Sequence, residues 1–475
     1  MAAPDSAAPC ADLPPGLPAE VVAGLAAIVG ADSVLAGTRR LLAYECDGNT
    51  VFSARPQAVV LPHDREEAER VVRLLERHGV PWLPRGSGTG LSGGAVAERG
   101  GVVVDLVRLR RLVRVDPESE RAWVEPGVTN LALSEAVAPY GFFYAPDPSS
   151  QVACSIGGNV AENSGGSHCL KYGVTTNHVL GLEVVTARGE RLRLGGAAPD
   201  LPGYDLTAFF VGSEGTLGLA TEAVVRLVRR PPAVRTVLAL FASPDEASQT
   251  VSDVIAAGIL PAAMEMMDRL AMDGVERGPY RVGYPAGTGA VLLIEVDGLE
   301  AGLDEQAEQI ASICRRNGVQ DVRIAASPEE RNLWWQNRKT AFGAMGHLSP
   351  SYYVQDGVIP RSRLPRVLGR VEAIGREFGL RIANVFHAGD GNLHPLILFD
   401  DRLPGQRERA VRAGSEILRA CVEEGGSITG EHGVGIEKRE EMRWMYSEEE
   451  LRFQAELRQV WDPKGLANPG KVLPV

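Results

Sequence analysis

The sequence predicts an α+β chain made of two successive strand–helix units, and three observations carry that prediction. From Gln57 onwards, short apolar runs alternate with amphipathic stretches of helical spacing. Beyond the pair Pro231-Pro232 a second series begins, whose order of strands and helices is that of a split βαβ, ferredoxin-like layer. Further on, Asp390-Gly391 stands between two apolar runs, the strongest short hairpin signal a sequence offers.

In chain order, residues 1–55 begin Pro/Ala-rich and continue as short helices. "QAVVLP" reads as a strand, "REEAERVVRLLERHG" as an amphipathic helix, and "VPWLPRG" and "GVVVDL" as strands. "RAWVEPG" leads into the helix "NLALSEAVAPYG". A Gly/Ser/Asn-rich stretch from Asp147 to Tyr172 precedes the hairpin "GLEVVTARGERLRL" and the strand "EAVVRLVRR". After the prolines come "RTVLALF" as strand, "DEASQTVSDVIAAG" as helix, "AAMEMMD" and "AVLLIEVDG" as strands, "EQAEQIASICRRNG" as helix and "DVRIAA" as strand. A last helix, "SEEELRFQAELRQVW", stops at a proline and leaves a tail able to return to the first unit. The expected divisions are 1–55, 56–232, 233–440 and 441–475.

A chain of 475 residues exceeds one ordinary core, and 44% hydrophobic with 23% charged residues is the balance of a soluble globular protein. A net charge of -12 without any Lys/Arg cluster argues against a nucleic-acid partner. The start "MAAPDSAAPCADLPPG" shows neither a basic nor an apolar targeting region, and "VVAGLAAIVG" is too short to span a bilayer. The six cysteines contain no C-x-x-C pair, which leaves no iron–sulfur or zinc-knuckle motif and predicts reduced thiols in a cytoplasmic protein.

"LPRGSGTGLSGGAV" (Leu83–Val96) contains Gly88-x-Gly90-x-x-Gly93, formally a dinucleotide fingerprint. A Rossmann unit would open a helix there, yet the loop runs through "GGAVAERGG" directly into "GVVVDL", and it lacks the Gly-Lys-Ser/Thr of a P-loop. Bare backbone N–H groups interleaved with the Ser87, Thr89 and Ser92 hydroxyls still form an anion cradle, whose natural guest is a diphosphate.

Two of the eight histidines flank the Asp390-Gly391 turn, His387 and His394. Gly389 and Gly391 would each cost a helix about 1 kcal/mol, so a hairpin is expected. A two-residue type I′ turn would set His387 opposite His394 on one face, with Cβ atoms about 4.5–5.5 Å apart. Such a pair can share a cation or a substrate. "GSITGEHGVGIEKR" adds Glu431 and His432, which in an extended segment point to opposite sides, Glu431 toward the pair and His432 away from it. His387, His394 and Glu431 together suit zinc or another divalent first-row metal.

"PRGSGTGLSGGAV", "PDPSSQVACSIGGNVAENSGGSHCLKYGVTTNHVLGLEVV", "FFVGSEGTLGLATEAVVRL", "HAGDGNLH" and "GEHGVG" occur in this order. In these motifs, and over most of Gln57 to Leu473, the chain resembles the FAD-linked oxidases of the vanillyl-alcohol oxidase and p-cresol methylhydroxylase superfamily. The branch it resembles contains the flavoprotein subunit of bacterial glycolate oxidase and the D-lactate and D-2-hydroxyglutarate dehydrogenases. The resemblance implies a two-subdomain FAD-binding domain of the p-cresol methylhydroxylase type, a ferredoxin-like α+β substrate domain over the flavin, and a C-terminal segment returning to it. Arg85, Gly86, Ser87, Gly88, Thr89, Gly90, Ser92 and Gly93 would hold the pyrophosphate. Pro148, Ser149, Gly157, Gly158, Asn159 and Asn163 would line the flavin; Glu214, Gly215 and Gly218 would bound the adenosine end; Asn468 would return to the isoalloxazine. The glycine loop carries no histidine for covalent attachment, so the FAD is expected to be non-covalent.

The resemblance further implies that His387, His394 and Glu431 form the metal site and that His432 is the base. Arg338, in "LWWQNRKTAFGAMG", matches the arginine whose planar fork takes the substrate carboxylate. The metal would acidify the α-hydroxyl, and His432 would accept its proton as Cα–H passes as hydride to flavin N5. Val354 stands near where the hydroxyglutarate enzymes carry a lysine, which favours glycolate or D-lactate as the small 2-hydroxy acid. Implied partners are an iron–sulfur electron-transfer subunit, or a cytochrome or quinone acceptor, with a homodimer and peripheral membrane association through the partner left open. The alternatives are a D-2-hydroxyglutarate dehydrogenase, a non-redox flavin-dependent transferase on the same fold, and a zinc hydrolase at the His387–His394–Glu431 set.

Overall fold

A computed structural model of the chain describes residues 16–37, 39–198 and 202–474. The beginning of the chain, where no targeting signal is expected, lies outside the described residues. Described residues of the first segment form the helix Ala19–Val29 and 3-10 turns.

Among the described residues three larger sheets follow, with the two-stranded pair Phe142–Phe143 and Val228–Arg229 beside them. The first has the order Val34–Ala36, Ala58–Val60, Val102–Asp105, Trp82–Arg85, the last three strands parallel to one another. Asp64 caps the covering helix Arg65–His78 by accepting from the Glu67 N–H at 2.8 Å, and Gly79 ends it in the left-handed conformation. Its apolar stripe Ala68, Val71, Val72 and Leu75 packs with Val60, Val102 and Val104 of the sheet. No helix intervenes between Arg85 and Val102, as the glycine run predicts. The C-terminal tail adds Ala467 beside Trp82 as an isolated parallel bridge.

The second sheet is antiparallel, in the order Leu112–Asp116, Arg121–Val124, Gly218–Arg226, Val179–Thr186, Arg191–Gly195, and its last two strands are the expected hairpin. At Pro231-Pro232 the chain passes to the third sheet. There the strands Asp321–Ile324, Ala233–Phe241, Ala290–Gly298 and Ala263–Asp268 lie side by side in the fourth-first-third-second order of a ferredoxin-like layer. Alternation along each strand feeds two cores: Val237, Ala239 and Phe241 point to the helices Pro244–Ala256 and Leu303–Arg316, while Leu238 and Leu240 join Trp334 and Trp335 on the opposite side.

The layer continues past Ala263–Asp268 through the hairpin Arg381–His387/Asn392–Phe399 and the strand Ser351–Val354. Here the structure corrects the expected register. His387 pairs with Asn392 and Val385 with His394, so the loop Ala388–Gly391 has four residues rather than two. Of the two central residues of the expected turn only Gly391 has positive φ (76°), whereas type I′ needs both. Tertiary contacts decide the matter. Gly389 donates to the Met264 carbonyl and accepts from Arg361, while Gly391 packs against the Ile359 carbonyl, which holds the wider loop open. Because the slip is two residues, the facing of every side chain is preserved, and His387 and His394 become diagonal neighbours with ring centroids 5.0 Å apart.

Candidate active site

A cavity of about 360 Å³ opens between the first two sheets and the third. The glycine loop forms one wall. Arg85 is buried beneath it and pins it, its guanidinium donating to the Ala95 carbonyl at 3.2 Å and the Cys46 carbonyl at 3.0 Å. Gly86 must lack a side chain because a Cβ there would collide with Ser155 Oγ, which caps the helix Ile156–Glu162 across the cavity. Gly88 has φ +68° over the Arg85 guanidinium, a position where any side chain would be both strained and obstructed.

Of the residues expected to hold a dinucleotide, Arg85, Gly86, Ser87, Gly88, Thr89, Gly90, Pro148, Ser149, Gly157, Gly158, Asn159, Glu214, Gly215 and Gly218 all line this cavity. Four do not, and each instead braces the wall from behind. The Ser92 carbonyl accepts from Ile436 and Glu437 N–H, Gly93 packs on Ile436, and Asn163 accepts from Thr176 N–H at 2.8 Å. Asn468 donates to the carbonyls of Gly94 (2.9 Å) and Glu214 (2.6 Å), joining two cavity loops without reaching the space between them. Two acceptors in the wall, Glu162 Oε2 and Ser213 Oγ, are buried without a hydrogen-bond partner among the described residues. The hydroxyl and N–H donors of a ribityl-linked flavin answer such orphans, and the bare glycine backbone answers its diphosphate, so the wall fits FAD.

At the far end of the cavity stand Arg338, Phe342, His387, His394, Glu431 and His432. His387 Nε2 lies 3.1 Å and His394 Nε2 3.0 Å from Glu431 Oε1, so both imidazoles converge on one carboxylate. On its other side each ring faces a further buried carboxylate: Glu265 Oε1 at 2.7 Å from His387 Nδ1, and Asp356 Oδ1 at 3.8 Å from His394 Nδ1. The Glu265 carboxylate on the Nδ1 side of His387 turns that ring's Nε2 lone pair toward the shared point, the arrangement that supports a metal-binding imidazole. His394 is 1% exposed, and beyond the 3.0 Å approach of its Nε2 to Glu431 its nitrogens make no aligned hydrogen bond among the described residues. Two imidazoles and a carboxylate within 4.8 Å of one another fit a divalent first-row cation.

Glu431 and His432 do not point apart as an extended segment would require. Asp356 Oδ2 accepts from Thr429 Oγ1 (2.6 Å) and from the N–H groups of Gly430 (2.9 Å), Glu431 (3.1 Å) and His432 (2.8 Å). Wrapped around one carboxylate, the backbone curves and its side chains converge. His432 consequently stacks on His394, with centroids 4.8 Å apart and planes 6° from parallel. From behind, Glu214 clasps the same loop through Val434 N–H (2.6 Å) and Gly435 N–H (2.7 Å).

The electrostatics follow from this packing. Burial, reinforced by the neighbouring His394 ring and opposed by Asp356, brings His432 down to about 4 and leaves it a neutral proton acceptor at pH 7. Glu265 is held down near 2 because the Arg338 guanidinium and the His387 imidazole outweigh its burial. Arg338, 3% exposed, pairs through Nη2 with Glu265 Oε2, and its Nε has no hydrogen-bond partner among the described residues.

Glu265, Asp356, Glu162 and Phe342 are site residues that sequence reasoning missed. Glu265 announces itself only as the carboxylate inside the apolar run "AAMEMM", and Phe342 by following Arg338 one helical turn later. Val354, read above as bearing on substrate length, is buried in the core among Trp334, Trp335 and Leu396 and does not line the cavity; Phe342 does.

The sequence matches the family described as "FAD binding domain" over residues 56–195 and that described as "FAD linked oxidases, C-terminal domain" over residues 230–472. It is 48% identical over 441 residues to the glycolate oxidase subunit GlcD of Escherichia coli (strain K12), covering 93% of this chain and 88% of the relative. It is 31% identical over 427 residues to a D-lactate dehydrogenase of Anaerostipes hadrus, covering 88% and 90%. The solved structure of p-cresol methylhydroxylase superposes with a TM-score of 0.80 at 19% identity, over 95% of this chain and 96% of that one, which establishes the shared fold.

Proposed function

The chain belongs to the FAD-linked oxidases, and from that membership we propose that it oxidises a small D-2-hydroxy acid, glycolate or D-lactate, to the 2-oxo acid. One observation carries the reading: a buried arginine, a neutral imidazole and a two-histidine, one-carboxylate set converge at one end of a cavity whose other walls fit FAD.

When bound, the flavin supplies a two-electron acceptor for the α-C–H bond, and a divalent cation supplies Lewis acidity to the α-hydroxyl. His387, His394 and Glu431 would hold that cation. The Arg338 guanidinium, anchored by Glu265 and lining the cavity, binds the substrate carboxylate and orients it. His432 accepts the hydroxyl proton, a task its depressed basicity suits because the ring is uncharged at neutral pH. Phe342 lies edge-on to His394 at 5.7 Å and presents an apolar wall, which excludes water and leaves no partner for a second carboxylate. Lys339 also lines the cavity, its ammonium 4.0 Å from Asp147 and 5.8 Å from the Trp335 ring centroid.

Electrons leave to a partner outside the chain, an iron–sulfur subunit or a cytochrome or quinone acceptor. Relatives named as subunits support this, as does a sequence without C-x-x-C. Among the described residues no helix is long and apolar enough to cross a membrane, and a cytoplasmic protein meeting the membrane through its partner is the reading we favour.

The test is an anaerobic visible spectrum of the purified protein titrated with glycolate, D-lactate, L-lactate and D-2-hydroxyglutarate, with and without chelator. Bleaching of the band at roughly 450 nm by glycolate or D-lactate, lost after chelation, is expected. A band indifferent to every hydroxy acid would refute the proposal.

A further inference from the structure

Resting on that reading, we propose that Glu265 is a positioning residue that ties the metal site to the substrate-carboxylate site, holding His387 with one oxygen and Arg338 with the other. Glu265 sits directly opposite His387 on the neighbouring strand of the third sheet, a cross-strand pair fixed by the ladder Glu265↔His387, Met266↔Phe386, Met267↔Val385. The backbone ladder therefore sets the distance, and Oε1 lies 2.7 Å from His387 Nδ1. Oε2 pairs with Arg338 at the end of the helix Pro328–Lys339, which packs on the sheet through Trp334 and Trp335. The carboxylate is 1% exposed and occupied on both sides, so neither partner can turn without disturbing the other.

Two consequences follow from this geometry. With its Nδ1–H committed to a carboxylate, His387 is locked in the tautomer that leaves Nε2 free for a cation, and loss of such a partner costs roughly 10–100-fold in metal affinity. With Nη2 held by Glu265, the Arg338 guanidinium lines the cavity in a fixed orientation and need not be ordered when the substrate arrives. Glu265 touches neither cation nor substrate, so it acts only through these two side chains.

The experiment measures Zn²⁺ dissociation constants of the FAD-loaded protein by chelator competition, for wild type, Glu265→Gln, Arg338→Met, the double variant and His387→Ala. Glu265→Gln is expected to weaken Zn²⁺ binding by roughly 10–100-fold. At saturating Zn²⁺ its kcat should recover while KM for glycolate or D-lactate stays raised about tenfold, since Arg338 remains unheld. Arg338→Met should tighten Zn²⁺ binding about threefold or more, because a carboxylate released from the guanidinium bonds His387 Nδ1–H more strongly, and this effect should vanish in the Glu265→Gln background. A Zn²⁺ constant within twofold of wild type in Glu265→Gln, a KM that recovers fully with Zn²⁺, or additive effects in the double variant would overturn the proposal. Should Glu265→Gln not fold, Arg338→Met alone decides, an unchanged Zn²⁺ constant refuting the tie. His387→Ala separates the two layers of argument: if it keeps wild-type Zn²⁺ affinity, the metal reading itself is wrong, whereas its loss beside an unaffected Glu265→Gln condemns only the role of Glu265.

Discussion

His432 lies flat against His394, ring over ring at 4.8 Å, so that the proposed proton acceptor and an imidazole of the proposed metal set share one face. Packing of this kind fixes the acceptor ring by contact with the group that would stand beside the substrate hydroxyl. Replacing His432 by Gln keeps the volume and removes the basic nitrogen. Turnover should fall by roughly 10²–10⁴-fold, while FAD content and Zn²⁺ affinity stay within a few-fold of wild type. Turnover within threefold of wild type would place the base elsewhere.

Arg338→Lys keeps the charge and loses the planar fork. Lysine offers a single point charge that the buried Glu265 already engages, so KM for the hydroxy acid should rise about 10–100-fold with a smaller change in kcat. Steady-state kinetics under anaerobic dye reduction read this directly; a KM unchanged in Arg338→Lys would remove the arginine from the carboxylate site.

On the proposed reading, Phe342, which lines the cavity beside His394, limits substrate length. Shortening it to Thr opens space and adds a hydroxyl, and should raise kcat/KM for D-2-hydroxyglutarate relative to glycolate by about tenfold or more. A ratio that does not move would mean that length is sensed at another position.

Stability should respond to pH through His168. Burial alone would lower its basicity, but the Asp147 and Glu295 carboxylates, at 2.8 and 3.4 Å, raise it to about 10. The folded value lies above the unfolded value of about 6.5. The stabilisation is therefore fully present below about pH 6.5 and is lost as pH rises through 10. Melting temperatures of wild type and His168→Gln should differ most near pH 6 and converge by pH 10. A difference that stays constant over that range would contradict the assignment. Glu295 also receives Arg331, Trp335 and Thr236 from the third sheet and its helices, and His168 on Glu295, together with Lys171 on Asp297, docks the 147–172 segment there.

Local chemistry made most of the framework legible. Two periodicities, 2 and 3.6, and the glycine punctuation located the strands, the helices and the cradle. What escaped was information held between distant segments. The hairpin at Asp390-Gly391 reads as a two-residue turn in isolation, and only Arg361, Met264 and Ile359 widen it. Nothing in "GEHGVG" foretells that Asp356, some 75 residues earlier, gathers three of its N–H groups and bends it. Glu265 becomes meaningful only once a ladder sets it beside His387, and Val354 loses its meaning once it is seen inside the core. Asn468, expected at the flavin ring, is instead a brace between loops.

That brace bears on the order of events in biosynthesis. Asn468 ties the carbonyl of Gly94, 374 positions earlier, to that of Glu214, 254 positions earlier. A nascent chain can fold its glycine loop, pinned by Arg85, and both early sheets while the ribosome is still at work, yet Asn468 ties the two loops to each other only once the last stretch has emerged. Fastening of the cofactor wall is then completed late, and a chain ending before Asn468 should hold FAD more weakly than the full chain.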